Sequence, residues 1–208
     1  MQASNKAILA ELFRDNPAEI SAYLTEKFKE NNIDAARMGL SLVVQAQNVQ
    51  MVARDAGLRR DTLYRTFGGR IDPQLSRTLK LFEALNVRAW VVPSAPADLQ
   101  PVSSPLNSPD LDALARRLNQ ALAGNNSNEV ILALREVALS QNVSALARAV
   151  GTMRTTVYKT FGGTVDPQLG RVLKLFAALN LRFTVIVLPR KRARPRPKLG
   201  RPPKSSGD

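Results

Sequence analysis

Cysteine and histidine are both absent from the chain, and each absence removes several classes of protein. Without cysteine the chain has no disulfide, no thiolate nucleophile and no cysteine-based metal site. Without histidine it lacks the usual general base near neutral pH. We therefore expect no enzymatic activity, and the sequence indicates no cofactor and no metal ion.

Long apolar runs are also missing. No stretch of 18 or more apolar residues occurs, as a membrane-spanning helix would need, and the N-terminal "MQASNKAILAELFRDN" mixes charged residues into its apolar positions, unlike a signal peptide. These features lead us to expect a soluble, cytoplasmic protein.

Acidic residues are few relative to basic ones. The chain has 30 Lys and Arg against 17 Asp and Glu, a formal net charge of +13, and residues 187–208 carry +7 of that surplus (eight basic residues less Asp208). A surplus of this size favours a polyanionic partner, because it releases counterions from nucleic acid or attracts anionic lipid.

The chain contains an internal duplication. Residues 19–92 align without a gap to residues 113–186 at an offset of 94, and 32 of these 74 positions are identical. The likeness is strongest between "TLYRTFGGRIDPQLSRTLKLFEALN" and "TVYKTFGGTVDPQLGRVLKLFAALN". Two copies are too few for a stacked-repeat array, so we predict an N-terminal helix (1–18), two tandem domains (19–92 and 113–188), a Pro/Ser-rich linker (93–112) and a basic tail (189–208).

Apolar residues recur at three- and four-residue spacings through each copy, which predicts a mainly α fold. Asp72-Pro73 and Asp166-Pro167 each resemble an N-cap followed by proline at the start of a helix. Each copy then ends in a short run of β-branched and aromatic residues, "VRAWVV" and "LRFTVIVL". A lone strand is unstable, so we expect these two strands to pair with each other.

Two short helices separated by a glycine turn are predicted in the middle of each copy. In the first copy they cover residues 49–56 and 60–67, with Ala53 at the helix crossing, Gly57 in the turn and Leu63 inside. The second copy repeats the spacing with Ala147, Gly151 and Val157. A small residue where the helices cross and glycine at a left-handed turn are typical of the helix-turn-helix motif.

The outer face of the second helix of each motif is polar and basic. Such side chains bind phosphates and base edges, although a solvated basic face would have the same composition. Arg59 aligns with Met153, and Asp61 with Thr155, so we expect two unequal DNA half-sites. The candidate DNA-binding residues here are Arg59, Arg60, Thr62, Tyr64, Arg65, Arg154, Thr155, Thr156, Tyr158 and Lys159.

The stretch "AxxxGLRRDTLYRTFGG…DPQLSRTLKLFEALNVR" and its near-twin at 147–182 resemble the helix-turn-helix addiction-module antidote family of bacterial DNA-binding antitoxins. The resemblance covers about residues 34–92 and 128–186. It implies DNA binding through Arg60, Thr62, Tyr64 and Arg65 and their counterparts, autoregulation of an operon in the bacterial nucleoid, and a small toxin as partner. Family members usually have one such domain, pair as homodimers, and lack a long basic tail.

The C-terminal segment "PRKRARPRPKLGRPPK" alternates basic residues with prolines, a composition that predicts disorder. Gly200, Arg201 and Pro202, flanked by Lys198 and Lys204, resemble an AT-hook, in which an extended Arg-Pro backbone lies in the minor groove of A·T tracts. The alternative is a generic polybasic segment that binds any DNA.

Three functions are consistent with these features. The first is a sequence-specific transcriptional regulator, a repressor that reads two half-sites with its duplicated domains as a pseudo-dimeric monomer on double-stranded DNA. The second is an antitoxin that binds a toxin, and the third is an architectural DNA-binding protein of low specificity.

Overall fold

The computed structural model describes residues 8, 11–14, 16–94, 110–124 and 126–188. The fold is mainly helical, with a short strand at the end of each half. The first repeat contains α1 (Pro17–Phe28), α2 (Ile33–Gln45), α3 (Val49–Asp55), α4 (Arg60–Phe67), α5 (Leu75–Ala84) and β1 (Val87–Pro93). The second contains α6 (Leu111–Ala123), α7 (Ser127–Leu139), α8 (Val143–Ala149), α9 (Arg154–Phe161), α10 (Leu169–Ala178) and β2 (Leu181–Val187).

The N-cap of each of the first three helices in both repeats is asparagine or aspartate. Each side chain accepts a hydrogen bond from a backbone N–H in the first turn, which satisfies a donor that the helix leaves free. The six caps are Asn16, Asn32, Asn48, Asp110, Asn126 and Asn142. Ser108 and Pro109 resemble an N-cap and a first helical proline in the sequence, and they lie outside the described residues; the helix itself begins at Leu111 after its cap Asp110.

The predicted pairing of the two terminal strands is confirmed. β1 and β2 form a two-stranded antiparallel sheet in which Val87 pairs with Val187 and Pro93 with Leu181. At the centre of this register Trp90 pairs with Thr184, its equivalent 94 residues on. A second pair of equivalents, Gln74 and Gln168, forms an isolated antiparallel bridge. An internal pseudo-two-fold axis therefore passes through both pairs and relates the two repeats.

The first helix of each repeat packs on the strand of the other repeat: α1 on β2 and α6 on β1. The Thr25 hydroxyl donates to Val185 O and accepts from Val185 N, both at 3.0 Å. At the equivalent place the Asn119 amide donates to Val91 O and accepts from Val91 N, both at 2.8 Å. These side chains satisfy the N–H and C=O of one residue on the outer edge of each strand, which a two-stranded sheet would otherwise leave unpaired.

The predicted role of Asp72 and Asp166 as caps of their own helices is wrong. α5 begins at Leu75 after Gln74, and α10 begins at Leu169 after Gln168. Each aspartate instead accepts from the first turn of the other repeat's helix: Asp72 from Gly170 N at 3.0 Å, and Asp166 from Ser76 N at 3.1 Å and Ser76 Oγ at 2.6 Å. The two segments of the chain pass beside each other at this point. Leu75 N donates to Pro167 O, and Leu169 N donates to Pro73 O.

One hydrophobic core runs through both repeats. Phe183 of the second repeat stacks on Phe28 of the first, with ring centroids 4.7 Å apart, and lies 6.2 Å from both Phe82 and Phe176. The two repeats consequently share their interior. In the described part of the chain no single helix is long and apolar enough to cross a membrane.

Candidate nucleic-acid interface

The first helix-turn-helix motif consists of α3, a tight turn and α4. Gly57 adopts a φ of +62°, and a Cβ built there would have nothing within 4 Å. The turn therefore favours glycine because of its left-handed backbone rather than for lack of space. Leu58 N donates to Ala53 O at 2.8 Å, which closes the end of α3, and Ala53 and Leu63 are both buried.

The second motif, formed by α8 and α9, has the same geometry. Gly151 adopts a φ of +67°, and Thr152 N donates to Ala147 O at 2.8 Å. Ala147 and Val157 are buried like their counterparts in the first repeat. Both halves of the chain thus contain the helix crossing that the spacing predicted.

The residues predicted to contact DNA from the first motif lie on α4, its recognition helix, or at the N-cap of that helix. Four of them are exposed: the N-cap Arg59, and Arg60, Tyr64 and Arg65 of the helix itself. The fifth, Thr62, is half-buried. The Arg60 guanidinium lies over the Tyr64 ring, 5.7 Å from its centroid, an arrangement that favours an attractive cation–π contact.

The corresponding residues of the second motif lie on α9. Arg154, Thr155, Tyr158 and Lys159 are exposed and Thr156 is half-buried. The structure therefore brings each predicted set together on one helix or at its N-cap. The role of the predicted tail residues stays a prediction, because they lie outside the described residues. They are Lys198, Gly200, Arg201, Pro202 and Lys204.

Sequence reasoning missed two arginines that lie beside the recognition helices. Arg77 of α5 donates to the buried Thr66 hydroxyl of α4 at 3.3 Å, and Arg171 of α10 donates to the buried Thr160 hydroxyl of α9 at 3.4 Å. Each guanidinium is thereby held beside a recognition helix. The sequence did contain a signal for this contact, because the threonine and the arginine are each identical in the two copies. The threonine nevertheless occupies an inward-facing position, which does not suggest a polar contact.

A cleft of about 380 Å³ lies beside the second recognition helix, where the repeats meet. Thr156, Arg171 and Lys174 line it from the second repeat, and Ile33 and Asp72 from the first. Burial raises the pKa of Asp72 above its ordinary value of 3.8. The hydrogen bond from Gly170 N and the positive charges of Arg37, Arg171 and Lys174 offset part of this rise.

Within the described ranges there is no group of three Asp and Glu side chains placed to hold a metal ion. The site consists of basic and hydroxyl side chains on α4 and α9. Such a surface can neutralise phosphates and donate hydrogen bonds to base edges.

The family described as "Probable addiction module antidote protein" matches the chain twice, over residues 7–93 and over residues 102–187. Together the two matches cover most of the chain. The chain belongs to this antidote family. Its two matches coincide with the two repeats of the fold, so this antidote-family chain contains the family's unit in tandem.

A curated relative agrees with this assignment. An uncharacterized protein of Haemophilus influenzae strain Rd is 36% identical over 73 residues, which make up 35% of this chain and 75% of the relative. The aligned length therefore corresponds to about one repeat of this antidote-family chain. No solved structure gives a significant match.

Proposed function

We propose that the protein is a sequence-specific DNA-binding transcriptional regulator, a repressor that occupies a promoter with both of its recognition helices. The observation that carries the proposal is the internal two-fold axis, which relates two helix-turn-helix motifs within one chain. Helix-turn-helix proteins bind DNA as symmetric pairs whose half-sites lie roughly 34 Å apart. One chain of this protein supplies such a pair.

The position of the axis supports this reading. α4 ends at Phe67 and α9 at Phe161, each seven residues before the glutamine that lies on the axis. Seven extended residues span at most about 25 Å, so each recognition helix ends within that distance of the axis. The two helices are therefore near enough to each other to meet successive turns of one DNA duplex.

Charge supports the same partner. The net charge of +13 favours DNA, and Arg77 and Arg171 add cations beside the recognition helices. The basic tail at 189–208 would add further phosphate contacts and steepen the salt dependence of binding.

The test is selection of bound sequences from a random DNA duplex pool at about 150 mM salt, using the full chain and the double variant Arg60→Ala/Arg154→Ala. We expect the natural chain to enrich a two-part site and the variant to lose about 1–3 kcal/mol of specific binding for each base contact removed. Lys29→Ala is the matched control, because Lys29 is an exposed cation at the end of α1, outside both motifs.

Failure of the natural chain to enrich any site would contradict the proposal. Equal affinity for selected and random DNA would instead favour an architectural protein.

A second candidate function is supported by the family itself: an antidote that binds and neutralises a small protein toxin. α2 and α7 expose apolar side chains at equivalent positions, Met38 (69% exposed) and Leu132 (45% exposed), where a partner protein would find a contact. The test is to express a small protein encoded beside the gene for this chain, with and without this chain. Growth arrest relieved by the natural chain, and not by Met38→Glu/Leu132→Glu, supports the antidote function, whereas the absence of any arrest contradicts it.

A further inference from the structure

The two recognition helices begin with different side chains at the same position. Arg59 is the N-cap of α4, and Met153, its equivalent, is the N-cap of α9. Met153 is 74% exposed, the largest exposed fraction among the large hydrophobic side chains that the structure describes. It therefore contributes little to the core, and its position is one from which a recognition helix reads base edges.

A second difference lies two residues further along. Asp61 of α4 corresponds to Thr155 of α9, and both are exposed. A carboxylate in the first turn is favoured by the helix dipole, but on a surface that faces phosphates it is repelled. Such a carboxylate is tolerated where it accepts a hydrogen bond from the N4 amino group of cytosine.

The remaining polar positions of the two helices agree. Arg60, Thr62 and Tyr64 are matched by Arg154, Thr156 and Tyr158, and Lys159 conserves the charge of Arg65. Because a two-fold axis relates the helices, the shared residues should read an inverted repeat. Apart from the exchange of Arg65 for Lys159, the differences among these polar positions are confined to the two N-terminal ones. The base pairs that those two positions meet are therefore where the inverted repeat is broken.

The chemistry of the four side chains indicates which base pairs these are. Arginine donates two hydrogen bonds to guanine O6 and N7, and aspartate accepts from cytosine N4. Methionine and the threonine methyl group suit the C5-methyl group of thymine. On the basis of the function proposed above, we propose that Arg59 and Asp61 select G·C base pairs in one half-site, while Met153 and Thr155 select thymine at the equivalent positions of the other.

Exchange of these side chains tests the inference. Bound sequences are selected by the full natural chain, by Met153→Arg/Thr155→Asp, and by the reciprocal Arg59→Met/Asp61→Thr. We expect the natural chain to enrich an asymmetric site, the first variant a symmetric site with G·C in both halves, and the second a symmetric site with thymine in both. All four side chains are exposed, so the variants should keep the thermal stability of the natural chain.

A second measurement needs no variant. The natural chain is titrated with its selected duplex and with a duplex in which G·C and T·A are exchanged at the broken positions of one half. We expect about a tenfold or greater loss of affinity, because the exchanged base pairs no longer match the side chains that meet them.

The outcomes separate the inference from the function on which it rests. A symmetric site for the natural chain, unchanged sites for both variants, or equal affinity for the exchanged duplex would each overturn the inference and leave a DNA-binding regulator in place. No enrichment by any of the three chains, with no binding above that of random DNA, would overturn the proposed function and the inference with it.

Discussion

Thr25 and Asn119 occupy equivalent positions and satisfy the same backbone groups with different chemistry. The single hydroxyl of Thr25 both donates and accepts at Val185, whereas Asn119 uses its amide nitrogen and oxygen separately at Val91. Asn119 is buried, so an unsatisfied N–H or C=O of Val91 would be costly. At the scale of single residues, this capping of a strand edge joins each first helix to the other repeat, in addition to the apolar packing of the shared core.

A matched pair of substitutions measures this interaction. Asn119→Thr introduces the side chain that performs the same role at position 25. Asn119→Val introduces a side chain with nearly the shape of threonine but without its hydroxyl. We expect Asn119→Val to be less stable than Asn119→Thr by about 1–3 kcal/mol, the cost of leaving a buried backbone group unpaired. Urea unfolding at pH 7 measures the difference, and equal free energies of unfolding would show that water satisfies Val91.

At the scale of secondary-structure elements, α5 and α10 depend on the opposite repeat for their start. Neither N-cap glutamine makes a side-chain capping bond, and the acceptor for the first turn comes from Asp166 or Asp72 across the axis. Ser76 and Gly170 also differ in the room available. A Cβ at Gly170 would lie 2.7 Å from Asp72 Oδ2 and 3.0 Å from Ile33 Cγ1, so glycine lets the carboxylate approach the backbone closely.

The cap of α10 should depend on pH in a definite direction. Because burial raises the folded-state pKa of Asp72 above 3.8, folding favours its protonated form. The stability that this contributes is fully present below 3.8 and is lost as pH rises through the folded-state value. Asp72→Asn keeps an acceptor for Gly170 N without a charge, so the free energy of unfolding of the natural chain relative to this variant should fall as pH rises from about 4 to about 7.

Urea unfolding across that pH range tests this expectation, with Asp166→Asn as the matched variant at the equivalent cap. A constant difference between the natural chain and Asp72→Asn would contradict it.

At the scale of the whole molecule, the two repeats fold as one unit. They share the sheet, exchange their first helices and bury Phe28, Phe82, Phe176 and Phe183 in a common cluster. Separating the repeats would expose this cluster and both strand edges together. We therefore expect neither repeat to be stable as a monomer.

Cutting the chain tests the unity of the fold. A protease site introduced within residues 95–109, outside the described residues, allows cleavage after folding. We expect the two fragments to remain associated in size-exclusion chromatography. The Tm of the cut protein should rise with concentration while that of the intact protein does not, because unfolding then also separates two molecules. Two separate folded monomers after cleavage would contradict a shared core.

Much of this architecture follows from local signals in the sequence. Apolar spacing locates the helices, Gly57 and Gly151 mark the turns of both motifs, and the β-branched runs locate the strands and favour their pairing. The exchange of α1 and α6 could not be predicted in this way. An amphipathic helix shows which of its faces is buried, but it does not show which repeat buries it.

The crossed capping by Asp72 and Asp166 escaped prediction for a similar reason. The Asp-Pro signal correctly indicates an acceptor near a helix start, and only the tertiary structure shows that the helix belongs to the other repeat. The exposed faces of α4 and α9 were predicted from the motif, whereas the positions of Arg77 and Arg171 beside these helices depend on contacts with the buried Thr66 and Thr160.

The residues on the two-fold axis have a consequence for how this molecule can change over generations. In a dimer of identical chains, a residue on the axis meets a copy of itself, so every mutation there alters both sides of the contact at once. Here Trp90 meets Thr184, a large aromatic side chain opposite a small hydroxyl one. A gene that encodes both halves can alter one side of an axial contact and leave the other, and it can keep pairings that no symmetric dimer could encode.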